Sequence, residues 1–575
     1  MRRSIPDQCT LLLMGHLFAI LLWSADADLL FYNGRVVTVD AKFAIHEAVA
    51  VKGNRIAAVG TSKQLLAQER GPRTEAIDLG GKMVIPGLID SHVHPLEAGL
   101  SEERAPLPRI RSYADVRGYL QQQEKIVPKG EWIVIPRTFP TRLSEQRMAT
   151  KELLDIVREH PVMFDVSYVS VLNSFALRKC GITRSTPNPP RGEIVKGIDG
   201  EPNGILKNAS SLLKGHLKPA VPFTTAEKLV ALEKMLGRYA QAGLTSVGEG
   251  GAEDDEVALY RQLHAQKKLP VRVAMTWWHD INRPLDELLA EVRAAKFTTN
   301  TGDDWLRFGA FKVNMDGGMT IGTAYQRAPY GAYGTQLYGM TNPDDRGQLF
   351  SAPDKLYTLL REARSRGWQL ASHAQGGSAI DGFLAALDKI DKEFPIAPTR
   401  AHVIHGSFQN PESIALAKKL GMMEDVQAAW LYFDAPALAK VFQLPGMRYF
   451  FPLRSYLKSG LLVAGGSDHM IGHDKNASMN PYNPFMGLWT SVTRQSTDGT
   501  VLYPEERVTR EEALRMYTIW GAHRQFGEKV KGSIEVGKLA DLVILDRDYL
   551  KCPEDDIARI EPVLTILDGK VVYRR

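Results

Sequence analysis

The chain has 575 residues, of which 44% are hydrophobic, and this is enough to bury one large core and a smaller one. Its formal net charge is only +5 and its lysines and arginines are scattered, so the composition does not favour a nucleic-acid partner. None of the three cysteines has CxxC spacing. We expect Cys180 and Cys552 to be single buried thiols, with a disulfide between them as the alternative.

The first 27 residues have the pattern of a secretory signal peptide. Arg2 and Arg3 precede a mostly apolar stretch from Cys9 to Trp23, and Ala25-Asp26-Ala27 then forms an A-x-A cleavage site. An uncleaved anchor is the alternative, but the apolar stretch is shorter than the about 20 residues that a membrane span needs. We therefore expect a periplasmic or secreted protein without stable membrane association after cleavage.

Both ends of the remaining chain are rich in strand patterns. Around Asn33-Gly34 the sequence predicts strand, turn, strand, and the pattern recurs around Gly53-Asn54. Since the middle of the chain differs, we expect one small β-sandwich domain built from residues 28–85 and 530–575. The strand-like segments are 29–39, 48–60, 540–546 and 563–573.

The middle of the chain alternates strand-like and helix-like segments, which predicts βα units and a parallel sheet. We expect residues 86–529 to form a (β/α)8 barrel, with an inserted lobe around 102–243. The helical patterns cover 225–241, 353–366 and 509–517, and the strand-like runs cover 245–247, 308–313, 369–372, 402–404 and 461–464.

An Asp-x-His-x-His sequence ends the apolar run that begins at Val84. Successive side chains of a strand point to opposite faces, so His92 and His94 project the same way and can hold one metal ion. Two histidines alone do not distinguish a closed structural site from an open catalytic one. Two core histidines that bind nothing are the simpler alternative.

Lys312 ends an apolar strand-like run, a costly place for a lysine that is neither paired nor modified. A buried lysine with a lowered pKa can take up carbon dioxide as a carbamate and bridge two metal ions. The alternative is a lysine in a salt bridge, for example with Asp316.

Three further polar residues follow strand-like runs in later βα units. His373 and His405 are candidate ligands for the same centre, and Asp468 is a candidate ligand that can also move a proton from the attacking water to a leaving group. In a (β/α)8 barrel the chemistry lies at the C-terminal ends of the strands, where all of these residues fall. Structural histidines and a turn aspartate are the simpler alternatives. Trp277, Trp278 and His279 are candidates for the pocket wall or for packing.

The order HxH, Lys, His, His, Asp is far more specific than any of its members. Further stretches of the chain match motifs of a known family in the same way. They are Gly181-Ile182-Thr183-Arg184, Gly200-Glu201-Pro202-Asn203-Gly204, Gly243-Leu244-Thr245-Ser246-Val247, Asn483-Pro484, Val492-Thr493-Arg494 and Gly532 to Val543. With these motifs the chain resembles the amidohydrolase superfamily, and most closely its type-3 branch, typified by N-substituted formamide deformylases. The resemblance covers nearly everything after the signal peptide.

The resemblance implies a (β/α)8 barrel with one or two divalent metal ions, usually zinc. The residues that would surround the metal are His92, His94, Lys312, His373, His405 and Asp468. The chain departs from the branch at three places. It has Gly377 where the branch has an aspartate, Ile404 where it has a glutamate, and Tyr168 where a histidine is usual.

We expect a metal-dependent hydrolase that acts on carbon–nitrogen bonds other than peptide bonds. Metal-activated water would attack the carbonyl of an amide, N-acyl or N-formyl group, with Asp468 as general base and acid. Deamination of a cyclic amidine and hydrolysis of an ester or lactone use the same chemistry and stay open. A third alternative is an exported binding protein without turnover. The expected partner is a small-molecule substrate, and a homo-oligomer is left open.

Overall fold

The structure is a computed structural model, and we describe residues 26–217 and 221–575. Most of the predicted signal peptide lies outside the described residues, so it stays a prediction. Ala27 is buried, and its amide donates to the carbonyl of Glu69 at 2.9 Å. Within the described residues, no helix combines the length and the apolar character that crossing a bilayer requires.

The chain begins with seven strands and one helix. The elements are β1 (Leu29–Tyr32), β2 (Arg35–Val37), β3 (Ile45–His46), β4 (Ala48–Lys52), β5 (Arg55–Gly60), α1 (Ser62–Gln68), β6 (Glu75–Asp78) and β7 (Met83–Pro86).

One barrel strand and the inserted lobe follow. The elements are β8 (Leu88–Val93), α2 (Pro95–Leu100), α3 (Tyr113–Gln123), β9 (Ile133–Ile135), α4 (Lys151–Leu154), β10 (Val162–Val166), β11 (Val169–Leu172), α5 (Ser174–Lys179), β12 (Glu193–Lys196) and β13 (Pro202–Lys207).

The rest of the barrel and the final strands complete the chain. The elements are α6 (Thr225–Gln241), β14 (Leu244–Ala252), α7 (Asp254–Ala265), β15 (Arg272–Trp278), α8 (Leu285–Ala294), β16 (Leu306–Asn314), α9 (Gly331–Tyr338), α10 (Pro353–Ser365), β17 (Gln369–Ala374), α11 (Gly377–Asp391), β18 (His402–His405), α12 (Pro411–Lys419), β19 (Met423–Val426), α13 (Ala429–Gly446), α14 (Leu453–Ser459), β20 (Leu462–Gly465), α15 (Pro484–Thr493), α16 (Arg510–Met516), α17 (Ile519–Arg524), β21 (Leu542–Leu545), β22 (Pro562–Leu567) and β23 (Lys570–Arg574).

Strands from the two chain ends share one sheet. Its order is β23-β22-β21-β7-β2-β3, with the N-terminal strand β7 antiparallel to the C-terminal strand β21. A second sheet has the order β5-β4-β1-β6. Buried side chains from both sheets, such as Phe31, Val49, Val84 and Ile566, form one apolar cluster. This is the β-sandwich built from both chain ends that the sequence predicts.

The turn at Asn33-Gly34 joins two strands that do not pair with each other. β1 pairs with β4 and β6, whereas β2 pairs with β3 and β7 in the other sheet. The predicted order of strand, turn and strand is therefore present, but the two strands do not form a hairpin. Asn33 has a φ of 54° and bonds Asp78 through its side chain, so the dipeptide carries the chain from one sheet to the other.

Eight parallel strands form the barrel in the order β8-β14-β15-β16-β17-β18-β19-β20. The last strand meets the first, since the amide of Asp468 donates to the carbonyl of His92 at 2.7 Å and the amide of His94 to that of His469 at 2.8 Å. Almost every residue of these strands is buried, as expected when helices cover a parallel sheet. The prediction of a (β/α)8 barrel is confirmed.

The lobe lies between the first two barrel strands in the chain. Its sheet, in the order β12-β13-β11-β10-β9, has an apolar core of its own that includes Ile133, Phe164 and Val171. Helix α6 falls inside the predicted lobe range of 102–243, but Leu232 and Met235 place it against the barrel core. The lobe sheet therefore ends at β13, and α6 returns the chain to the barrel.

Candidate metal centre

All six residues predicted for the site line one cavity of about 480 Å³. Each lies at the C-terminal end of a barrel strand or in the loop just after it, where the chemistry of such barrels is found. The residues and their strands are His92 and His94 (β8), Lys312 (β16), His373 (β17), His405 (β18) and Asp468 (after β20).

His92, His94 and Asp468 form the tightest group. Oδ1 of Asp468 lies 3.4 Å from Nε2 of His92 and 3.4 Å from Nε2 of His94. One ligand atom from each of the three residues lies within 4.8 Å of the others. The alternation of the strand therefore does bring both imidazoles to one point, as the spacing predicts.

The surroundings of His92 fit a metal ion. Its side chain is fully buried, and neither ring nitrogen has a hydrogen-bond partner among residues 26–217 and 221–575. Leaving a buried polar atom unpaired costs about 1–3 kcal/mol, and a metal bond removes that cost. Gly250 keeps the space beside the pair open, since a Cβ there would lie 2.7 Å from Nε2 of His92 and 2.9 Å from Cε1 of His94.

His405 has its proton on the nitrogen that faces away from the centre. Gln427 donates through Nε2 to Asp425 at 3.3 Å, so its Oε1, 2.6 Å from Nδ1 of His405, must accept a proton there. Nε2 of His405 then carries a free lone pair, the form that binds a metal. Burial holds the pKa of His405 well below its usual value and lowers that of His373 to about 3, so both rings are neutral.

The rings of the later histidines approach the HxH pair. The centroids of His373 and His405 lie 4.6 Å apart, and those of His405 and His92 lie 5.4 Å apart. His373 also has Nε2 3.2 Å from the carbonyl of Gly317. The structure thus brings the four predicted histidines into a single cluster.

Lys312 does not make the salt bridge with Asp316 that the sequence offered as an alternative. Its Nζ donates to the carbonyl of Gly250 at 2.6 Å, and no carboxylate among the described residues lies within ion-pair distance. Asp316 accepts backbone N–H groups from Tyr325, Gln375 and Gly376 instead. Burial lowers the pKa of Lys312 to about 8, so the neutral amine that takes up carbon dioxide is more abundant than in a solvent-exposed lysine.

The side chains of Arg142, in the lobe, and Asn480, after β20, connect the lobe to Asp468. Nδ2 of Asn480 donates to the backbone carbonyl of Asp468 at 2.8 Å, and Oδ1 of Asn480 accepts from Nη1 of Arg142 at 3.0 Å. Arg142, from the lobe, is itself held by the buried Asp434. Asp468 has a φ of 55°, an uncommon conformation for a residue other than glycine, and these contacts help to fix it.

Sequence reasoning missed Glu249 in β14. Its Oε1 lies 3.7 Å from Nδ1 of His94, and its carboxylate accepts from the Tyr260 hydroxyl and from the amide of Gly251. Burial raises the pKa of Glu249. A carboxylate behind a ligand histidine orients the ring, so the signal in the sequence was an acid two residues after the strand-like run 245–247.

Only one of the three candidate wall residues at the C-terminal end of β15 lines the cavity. Trp278 does so, whereas Trp277 stacks on Trp368 and His279 packs against Phe311. Trp430 forms another part of the wall, stacked on His405 with ring centroids 5.0 Å apart.

Neither Cys180 nor Cys552 lines the cavity of the metal centre. Cys180 and Cys552 are both unpaired, so the disulfide alternative is wrong. Each is only half-buried rather than buried, and burial raises the pKa of each thiol.

A (β/α)8 barrel whose strand ends gather four histidines, a lysine and an aspartate is the architecture of a metal-dependent hydrolase. The family model described as "Amidohydrolase family" matches residues 75–573, and the chain belongs to this family.

The chain is 29% identical over 563 residues to an N-substituted formamide deformylase of Arthrobacter pascens, with 95% of this chain and 98% of the relative covered. It is also similar in fold to two uncharacterized metal-dependent hydrolases. That of Pyrococcus horikoshii OT3 has a TM-score of 0.65 and 20% identity, with 92% of this chain and 99% of the other covered. That of Pyrococcus furiosus has a TM-score of 0.63 and 22% identity, with 91% and 100% covered.

Proposed function

We propose that the protein hydrolyses an amide, in particular an N-acyl or N-formyl group, with metal-activated water and with Asp468 as general base and acid. The observation that carries this proposal is the position of Asp468, whose Oδ1 lies 3.4 Å from Nε2 of both His92 and His94. A carboxylate there is beside any water held between the two imidazoles. The deformylase relative supports the choice of an N-formyl or N-acyl substrate.

The residues that would hold the metal are His92, His94, Lys312, His373, His405 and Asp468. Neutral imidazole nitrogens and carboxylate oxygens are ligands that suit zinc, so we propose zinc as the metal. A divalent metal in this place supplies Lewis-acid activation of water near neutral pH. Lys312 has no carboxylate partner among the described residues and lies in the same cavity, so we include its carbamate form in the proposal.

The remaining chemistry falls to side chains of the protein. Asp468 accepts a proton from the attacking water and returns it to the leaving nitrogen. Asn480 holds the backbone of Asp468, and Gln427 keeps the proton of His405 on Nδ1. Lobe residues form part of the cavity wall, among them Phe139, Arg142 and Tyr168.

We also propose that the protein is exported. The charged start, the apolar stretch from Cys9 to Trp23 and the A-x-A sequence that ends at Ala27 support this proposal. Comparison of the N-terminal residue of the mature protein with that of the full chain tests it. A mature protein that retains Met1 would contradict export by cleavage.

The test of the hydrolase proposal has two parts. The protein is screened against N-formyl amines, N-acyl amines, cyclic amidines and esters, with and without a chelator, and we expect chelator-sensitive hydrolysis of an N-formyl or N-acyl amine. In the second part Asp468→Asn keeps its metal and loses turnover, because the amide cannot accept the proton. The surface variant Asp344→Asn serves as a matched control and keeps full activity. Full activity of Asp468→Asn, or turnover of esters or amidines alone, would contradict the proposal.

A further inference from the structure

Tyr168 brings a hydroxyl group from the lobe into the cavity of the metal centre. It lies in the two-residue turn between β10 and β11, where Ser167 has a φ of 68°. Its ring lies 5.4 Å from that of Phe350 and 6.2 Å from that of His373, measured between centroids. The side chain lines the same cavity as the six predicted site residues.

A chain of two hydrogen bonds fixes which way the Tyr168 hydroxyl can donate. Nε1 of Trp278 lies 3.1 Å from one amide atom of Asn314, and an indole N–H can only donate, so that atom must be Oδ1. The other amide atom is then Nδ2, which donates to the Tyr168 hydroxyl oxygen at 2.9 Å. The hydroxyl oxygen is thus an acceptor in this bond, and its own proton must point elsewhere.

No acceptor for that proton is found within residues 26–217 and 221–575, where the only side-chain bond of Tyr168 is the one from Asn314. The hydroxyl also stays protonated at neutral pH, because burial raises the pKa of Tyr168 to about 12. A directed, unused donor therefore lines the cavity beside His373.

We propose that Tyr168 is a catalytic residue that donates a hydrogen bond to the carbonyl oxygen of the substrate amide. This inference rests on the proposed amide hydrolysis. When water adds to the carbonyl carbon, the C–N bond is still intact and the carbonyl oxygen takes the electron pair of the C=O bond. A donor already aimed at that oxygen stabilises the negative charge without reorganisation. Tyr168 keeps its proton throughout, and the proton of the attacking water goes to Asp468.

The backbone and a hydrogen bond hold the Tyr168 hydroxyl in a fixed position. The lobe turn is held by strand pairing on both sides, since Val166 pairs with Val169. Asn314 belongs to barrel strand β16, so its bond to Tyr168 ties the lobe turn to the barrel. The hydroxyl is thereby fixed by two separate parts of the chain before a substrate enters, which is the condition for electrostatic preorganisation.

The test uses the best N-formyl or N-acyl amine from the substrate screen. Loss of one such donor lowers kcat about 100-fold or more in other enzymes, so Tyr168→Phe should lower kcat by about this factor with little change in KM. Tyr119→Phe is the matched control, because this lobe tyrosine donates to the carbonyl of Val134 and does not line the cavity. Tyr168→His restores a donor at the same place and should recover part of the lost kcat.

A second measurement does not depend on turnover. A phosphonamidate analogue of the same substrate carries a tetrahedral, anionic centre. Its dissociation constant, measured by direct binding, should weaken in Tyr168→Phe by the factor by which kcat/KM falls. Metal content and the thermal midpoint of Tyr168→Phe should match those of Tyr119→Phe, which shows that the site is still assembled.

Three results would overturn the inference: an unchanged kcat in Tyr168→Phe, a change in KM alone, or unchanged affinity for the phosphonamidate. Failure of the proposed function is a different result, since it appears as absence of amide hydrolysis in the wild-type protein or as full activity of Asp468→Asn.

Discussion

Gly250 lies directly beside the HxH pair, and a single methyl group added there should disturb both histidines. The backbone of Gly250 has no positive φ, so alanine is compatible with its conformation. The added Cβ would lie 2.7 Å from Nε2 of His92 and 2.9 Å from Cε1 of both His92 and His94. Ordinary contacts begin near 3.4 Å, so His92 would have to move by about 0.7 Å.

A displacement of this size is large for metal binding and for catalysis. Zinc–nitrogen bonds are about 2.0–2.1 Å long, so a ligand moved by about 0.7 Å no longer bonds well. A misplacement of about 1 Å also costs about 100-fold in rate. We expect Gly250→Ala to bind metal about 100-fold more weakly and to lose at least as much in kcat/KM.

The assay compares Gly250→Ala with Gly237→Ala. Gly237 lies in α6, and a Cβ there meets nothing within 4 Å, so this variant makes the same chemical change without a clash. Metal affinity is measured by competition with a chelator, and activity on the best substrate. Wild-type metal affinity and activity in Gly250→Ala would refute the arrangement of the HxH pair described above.

Two further predictions concern contacts outside the ligands. Asn480→Ala removes the amide that holds the carbonyl of Asp468, so kcat should fall about 10-fold while metal content is kept; an unchanged kcat would contradict the positioning role. Lys531 is buried against Ser246 and Gln525, and burial lowers its pKa to about 7. Between pH 7 and its usual pKa the unfolded chain binds more protons than the folded one, so wild-type stability relative to Lys531→Met should rise by about 1.4 kcal/mol per pH unit. Denaturant unfolding at several pH values measures this slope, and a flat difference would contradict it.

The sequence predicts the barrel and the six site residues because both depend on local patterns. The strand ends of βα units converge at one end of the barrel. Side chains far apart in the chain, such as His94 and Asp468, can therefore be predicted to meet from the local strand pattern alone. Helix α6 was predicted with its observed bounds because its apolar residues recur at helical spacing and Thr224 caps its start.

The features that were missed depend on partners distant in sequence. Strand β19 has the sequence Met-Glu-Asp-Val, and two adjacent acids are typical of an exposed segment rather than of a buried strand. In the structure Asp425 is buried and forms an ion pair with Arg524. The Asn33-Gly34 turn is ordinary for a hairpin, and only the register of β1 against β6 shows that the two strands separate. Only its short distance to His94 in the structure identifies Glu249 as part of the site.

The central claim is that the HxH pair and its neighbours hold a catalytic metal. The most direct measurement is elemental analysis of the purified protein together with hydrolysis before chelation, after chelation and after addition of zinc. We predict stoichiometric divalent metal, loss of hydrolysis with loss of the metal, and recovery with zinc. Hydrolysis that persists in the metal-free protein would contradict the claim.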